Sequence, residues 1–266
     1  MTVKVSWVDA FTDQPFTGNP AAVCLLSEPL ADEYMQSLAF ELGISETAYV
    51  SPGAGPNSFD LRWFSPTVEV DLCGHATLAS AHALRERGLV DGSTPVTFHT
   101  RSGALTAVFD GDRIVLDFPA DPMTPAPLPA ALAGQWDPAL VVGAATTPFF
   151  SIVVLAHEAA VRQYRPDLSA IVAVDRQAVL ITAPAEAGSE ADYVLRVFGP
   201  RVGIPEDPAT GSAQCSIGPY WSAATGRTSL VAHQASPRGA VLHVRPDGDR
   251  VHIAGHAVTV ISGRLC

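Results

Sequence analysis

Four polar side chains in this sequence have the types and settings that proton transfer needs. Glu46 lies between Gly43, which stops a segment of helical apolar spacing, and the apolar run Thr47 to Val50. A fold can draw a carboxylate inward there, and burial would raise it toward neutrality and suit it to act as base and then as acid. His75 follows Gly74 at the start of a small-residue helix, where it can donate to a substrate and where the dipole favours the neutral ring. Asp207 precedes a second such start, and Ser212 follows Gly211 within it. The aspartate can orient the histidine, touch a substrate amine or only cap the helix; the serine and the Gly211 amide can hold a carboxylate or serve as a cap. A solvated loop glutamate and a structural histidine are the plain alternatives.

Cys73, just ahead of Gly74, sits where a thiolate would be favoured. A racemase built on two thiols would want a cysteine at the matching place in the second helix, and this chain has Thr210 there, with Cys215 further in. Packing is therefore the expected role of Cys73. The four cysteines show no CxxC or Cys/His ligand spacing, so no zinc site and no disulfide framework are expected, and a reducing cytoplasm fits best. No GxSxG, P-loop, GxGxxG or HExxH motif is present, which leaves hydrolase, nucleotide and metalloprotease readings unsupported.

These residues are carried by a unit used twice. RWFSPTVEVDLCGHATLASAHALRERG (Arg62 to Gly88) is matched in plan by LRVFGPRVGIPEDPATGSAQCSIGPYWSAATG (Leu195 to Gly226). In each copy an apolar strand ends at a Phe-x-Pro step and a loop leads to a helix start at Gly74 or Gly211. The match extends to ETAYVSP against QAVLITAP and to GALTAVFDGDRIVLDF against GAVLHVRPDGDRVHIAG. Two long copies predict two similar lobes, not a solenoid of short units. Two helix starts facing a cleft would offer unpaired N–H groups and positive dipole ends to an anion such as a carboxylate. Where the copies differ in polar residues their symmetry has been given up: Glu46 is set against Gln177, His75 against Ser212, and Glu206-Asp207 against Val70-Asp71.

The 266 residues suffice for two lobes of roughly 130 residues each, within the ordinary domain range. A formal net charge of −11 with only 16 Lys and Arg speaks against nucleic acid. No basic region followed by an apolar run opens the chain, so no signal peptide is expected. The uncharged run Ala139 to Ala156 approaches the length of a membrane span, but Gly143, Thr146, Thr147 and Pro148 divide it, and buried strands are predicted instead. Helices are predicted over Leu30 to Leu42, Cys73 to Arg87 and near Glu158 to Gln163. Hairpins are predicted at Asp110-Gly111 and Asp247-Gly248, and a kink or break at Gly218-Pro219 inside the second central helix.

Four ordered motifs, DAFTDQPFTGNPAAV, ISETAYVSP, WFSPTVEVDLCGHATLASA and GIPEDPATGSA, resemble the PhzF family, named for the phenazine biosynthesis isomerase, within the diaminopimelate epimerase-like fold, and the likeness runs over nearly the whole chain. The resemblance implies an α+β chain of two pseudo-symmetric lobes, each a curved mixed sheet wrapped around a central helix. Lobe one would span 1–118 with the C-terminal strand 257–266, lobe two 119–256, with the active site in the cleft between them. It further implies a homodimer, no metal and no organic cofactor. The family's proton-moving glutamate matches Glu46, its assisting histidine and aspartate match His75 and Asp207, and its carboxylate-binding serine matches Ser212. Asn19, Gly74 and Gly211 are the further substrate-binding positions expected. The function so implied is isomerisation or epimerisation of a small carboxylate-bearing, amino- or hydroxy-substituted carbon acid, in the cytoplasm and away from membranes. A metabolite-binding protein without turnover and a racemase using Cys73 are the rival readings.

Overall fold

The computed structural model describes residues 3–265; Cys266 lies outside the described residues. The chain divides by its internal contacts into a first unit, residues up to Phe118 together with those from His252 onward, and a second unit, Pro119–Val251. The second boundary thus falls five residues earlier than residue 256, inside a strand.

The first unit begins with β1 (Lys4–Ala10) and β2 (Asn19–Leu25), then α1 (Asp32–Leu42), β3 (Glu46–Pro52), β4 (Ser58–Phe64), the short β5 (Glu69–Val70), α2 (Gly74–Glu86), β6 (Val96–Thr100), β7 (Gly103–Asp110) and β8 (Arg113–Pro119). β1 and β2 are antiparallel, β2 and β3 parallel, β3 and β4 antiparallel, β4 and β6 parallel. Gly43, at φ 63°, closes α1 in the left-handed conformation that favours glycine. The buried face of α1 is Met35 and Ala39, while Tyr34 is half exposed. α2 is buried from His75 to Ala81 and again at Ala83 and Leu84. A helix buried on all sides needs small residues to let strands approach, and its run of alanines supplies them. Its buried hydroxyls bond back to the preceding turn, Thr77 Oγ1 to the Cys73 carbonyl at 2.6 Å and Ser80 Oγ to the Ala76 carbonyl at 2.7 Å. Cys73 and Arg87 are the caps of this helix rather than part of it.

The second unit repeats the plan with β9 (Thr124–Pro125), β10 (Val141–Thr146), β11 (Phe150–Leu155), α3 (Glu158–Arg162), α4 (Leu168–Val172), β12 (Ala178–Pro184), β13 (Tyr193–Gly199), β14 (Ile204–Asp207), α5 (Gly211–Thr225), β15 (Leu230–Gln234), β16 (Ala240–Asp247) and β17 (Arg250–Gly255). The same alternation recurs: β10 and β11 antiparallel, β11 and β12 parallel, β12 and β13 antiparallel, β13 and β15 parallel. A last strand, β18 (Ala257–Arg264), returns to the first unit and pairs antiparallel with β1. The uncharged run is a hairpin, with β11 fully buried and β10 partly exposed, and among the described residues no helix is long and apolar enough to cross a membrane.

α5 passes through Pro219 without a break. Proline lacks the N–H that would have bonded the carbonyl four residues back, that of Cys215, and the Asp121 N–H near the start of the second unit donates to that oxygen at 3.0 Å instead. The neighbouring Gly218 lets the helix lie against β16, since a Cβ there would meet Val244 Cγ1 at 2.7 Å.

Candidate active site

In the first unit the N-terminal ends of two parallel strands meet the first turn of a helix. Asn19 opens β2 and pairs with Ala10 of β1, and Glu46 opens β3 beside Ala21 of β2. The loop leading to Asn19 is fixed by the buried Asp9, whose Oδ2 accepts from the Phe16 N–H at 2.7 Å. Gly18, at φ +66°, makes the last turn, where a Cβ would meet the Ala10 carbonyl oxygen at 2.2 Å. Only glycine fits that approach.

Glu46 is 8% exposed and His75 7%. Glu46 Oε2 lies 3.2 Å from His75 Nε2, close in distance but off-line, so this buried oxygen accepts no aligned hydrogen bond. Asn19 Nδ2 stands 3.3 Å from His75 Nδ1, and Ser45 Oγ 3.4 Å from Nε2. Cys73 Sγ lies 3.5 Å from Nδ1 and 3.9 Å from Nε2. The structure therefore brings Asn19, Glu46 and His75 together and adds Ser45 and Cys73. Gly74, half-buried, is the first residue of α2.

The charge states run opposite to the expectation from burial alone. Burial works to raise the Glu46 carboxyl, but the His75 imidazole outweighs it, helped by Ser45 and Cys73, and holds the group below its ordinary range. Burial likewise works against charge on His75, and its neighbours Cys73 and Glu46 override it, lifting the imidazole well above its ordinary value. A base raised toward neutrality and a dipole-neutralised histidine are thus replaced by a lowered carboxyl and a raised imidazole in one buried cluster, because the neighbouring side chains together outweigh burial at each. Burial pushes the Cys73 thiol up, so it stays protonated near neutral pH.

In the second unit Asp207 ends β14 and its Oδ2 accepts from the Thr210 hydroxyl. Gln234, at the end of β15, was not singled out by its sequence context, yet it clamps this turn. Its Oε1 accepts from the Thr210 N–H at 2.7 Å, and its Nε2 donates to the Asp207 carbonyl at 2.7 Å. Gly211 is buried and Ser212 exposed at the first turn of α5. Both helix starts lack a side-chain cap bond.

Strand pairing also corrects the comparison between the copies. Trp63 pairs with Val70 as Val197 pairs with Asp207, so the counterpart of Asp207 is Val70. Glu206 is the counterpart of Glu69: Arg62 grips Glu69 through two bonds at 2.7 and 2.8 Å, and Arg196 grips Glu206 at 2.7 and 2.9 Å. These are equivalent clamps and not a gain of acid. Thr47 stands opposite Phe64 as Val179 stands opposite Phe198, which sets Glu46 against Ala178, not Gln177. The match of His75 with Ser212 holds, each being the second residue of its helix.

The family model described as Phenazine biosynthesis-like protein (PhzC-PhzF) matches residues 8–263. An uncharacterized isomerase of Pseudomonas aeruginosa is 44% identical over 270 residues, covering 100% of this chain and 99% of its own. The crystal structure of a PhzF-family phenazine biosynthesis protein of Enterococcus faecalis superposes with a TM-score of 0.93 at 35% identity, covering 100% of both chains. A hydroxyproline epimerase of Agrobacterium vitis, at 13% identity and a TM-score of 0.62 over 99% of this chain and 92% of its own, shares the fold.

Proposed function

The chain belongs to the phenazine biosynthesis-like (PhzC-PhzF) family, and from that premise we propose that it is an isomerase that moves a proton on a small carboxylate-bearing carbon acid with Glu46 as the base. The observation that carries this reading is the state of Glu46. It is buried, kept ionised by His75, and its Oε2 has no aligned donor. An ionised carboxylate with an unengaged lone pair is what a general base at rest requires.

The proton balance is closed. Glu46 takes a proton from a substrate carbon and becomes a carboxylic acid, while the electron pair left behind delocalises into the adjoining unsaturated or carbonyl system. Glu46 then returns the proton to another carbon, or to the other face of the same one, and the carboxylate is restored. Nothing is oxidised or reduced, so the balance calls for no redox partner. His75, steadied by Asn19 and Ser45, stabilises whichever negative charge is present, first on the carboxylate and then on the substrate. Ser212 is assigned to the substrate carboxylate and Asp207 to assisting the transfer beside His75, as the family match of these positions suggests, with Gly74 and the Gly211 amide as further carboxylate-binding positions. A homodimer is the proposed assembly.

Two-thiol racemisation is disfavoured, because Cys73 is a buried, protonated thiol whose counterpart is Thr210. Catalysis and mere binding separate in heavy water. The protein is incubated with trans-2,3-dihydro-3-hydroxyanthranilate and a panel of small amino and hydroxy acids and followed by proton NMR. Deuterium entering a substrate carbon supports the proposal; saturable binding of a panel member without any exchange would leave a binding protein.

A further inference from the structure

Cys73 is not needed for the proton balance above, yet its sulfur stands with the Glu46 carboxylate and the His75 ring. One ligand-type atom from each of the three lies within 4.8 Å of the others, and all three residues are buried. The set is a thiol, an imidazole and a carboxylate, the three side-chain types that bind zinc. Tetrahedral zinc with ordinary bond lengths sets its N and O ligands ~3.3 Å apart and its N and S ligands ~3.6 Å apart. Here His75 Nε2 lies 3.2 Å from Glu46 Oε2 and 3.9 Å from Cys73 Sγ. Small side-chain shifts close those differences.

Two further features fit an ion. Glu46 Oε2 is a buried acceptor with no aligned donor, and a cation bound there would satisfy it. The Asn19 carboxamide meets the other ring nitrogen, Nδ1, at 3.3 Å. Metal-binding histidines characteristically have such a partner on the far nitrogen, which fixes the ring; Asn19 needs only to turn its carbonyl toward Nδ1–H.

We propose that Glu46, Cys73 and His75 form a three-ligand site for a thiophilic divalent cation of the zinc class, with the fourth position open. On binding, Cys73 gives up its thiol proton and His75 its Nε2 proton to solvent, S–metal and N–metal bonds form, and no electron changes hands. If Glu46 is the base, occupancy ties up its lone pair, so the ion is an inhibitor. That last step rests on the proposed function; the site itself does not.

Cobalt(II) is the probe, added to the metal-free full-length protein. The expected result is one equivalent bound with a thiolate-to-cobalt charge-transfer band that zinc displaces. Cys73→Ser, which keeps the side-chain size, and Cys73→Ala lose the band while near-ultraviolet circular dichroism confirms their fold. Asn19→Ala weakens zinc binding by about 10–100-fold, the usual effect of removing such a partner. No band at saturating cobalt, or an equal band in Cys73→Ala, overturns the site. Binding with full retention of proton exchange would support the site and count against Glu46 as the base, so the two readings fail separately.

Discussion

The two arginine clamps offer a controlled comparison, since their bond geometry is the same and their burial is not. Arg196 has an 8% exposed side chain, and besides gripping Glu206 it donates to the carbonyls of Tyr164 at 2.8 Å and Val161 at 3.3 Å and lies over the Phe198 ring. Arg196→Ala leaves a largely buried carboxylate and two carbonyls unpaired, a loss of the kind that costs about 3–5 kcal/mol. Arg62 is 34% exposed, and its second partner, Asp32, is largely in solvent. When Arg62 is lost, Glu69, itself only 11% exposed, keeps Arg101 at 3.2 Å and water serves Asp32, so the cost of Arg62→Ala is set near ~1 kcal/mol. Urea unfolding of the two variants beside the parent measures the difference. The expected shift for Arg196→Ala is on the order of 10 °C in a parallel thermal scan, and a few degrees for Arg62→Ala. Equal losses, or the larger loss at Arg62, would refute the argument that burial rather than bond geometry decides the value of these clamps. The double replacement Arg196→Met/Glu206→Leu should recover the part of the loss that comes from the unpaired carboxylate, because a buried ion pair exchanged whole for apolar groups is often neutral, while the Tyr164 and Val161 carbonyls still lack their donor.

Three further outcomes follow from other positions. The Glu46–His75 pair makes stability depend on pH in a defined window. The depressed carboxyl contributes above its unfolded value of ~4.3 and loses that contribution as pH falls through its folded value; the raised imidazole contributes fully below its unfolded value of ~6.5 and loses it as pH rises through its folded value. The stability difference between parent and His75→Gln should therefore be greatest between roughly pH 4.3 and 6.5 and shrink on both sides; a flat difference across titration by urea denaturation would contradict the pairing. Gly218→Ala places a Cβ against Val244 at 2.7 Å and should cost ~1–3 kcal/mol by overpacking, while an unchanged midpoint in urea would show that α5 can move off β16. Gln234→Leu removes the bonds to the Thr210 N–H and the Asp207 carbonyl, so it should cost about 1–3 kcal/mol for the buried Thr210 N–H; it should also raise KM more than it lowers kcat if that turn holds substrate, and an unaltered KM would deny the turn that role.

Much of this was legible in the chain because it is local. Helix ends at Gly43 and the glycine-opened central helices, the alternation of strands and the twofold plan are properties of short windows. What the sequence leaves hidden depends on contacts between distant residues. Of the kink or break expected at Gly218-Pro219, the break does not occur, and the Asp121 N–H supplies the Cys215 carbonyl with the partner that Pro219 lacks. α4 is a single turn and a half, made by the Asp167 carboxylate accepting from the Ser169 and Ala170 amides, too short to leave a periodic trace. Sequence offset alone sets Glu206 against Val70, whereas the strand ladder sets it against Glu69. The state of Glu46 is non-local in the same way: its position announces burial, while the histidine that opposes burial's effect, with Ser45 and Cys73, is on another element. The cluster of Glu46, Cys73 and His75 has no recognisable ligand spacing along the chain, since two of its members share a helix start and the third opens a strand.

The central claim is that Glu46 moves the proton. Rates of deuterium incorporation from heavy water into a substrate taken from the acid panel, measured for the parent, Glu46→Gln and Cys73→Ser under metal-free conditions, test it most directly. Loss of a positioned general base costs about 10²–10⁴-fold, so Glu46→Gln should fall by that factor while Cys73→Ser keeps exchange within a few-fold of the parent. Full exchange in Glu46→Gln, or its abolition in Cys73→Ser alone, would contradict the account and move the chemistry to another group.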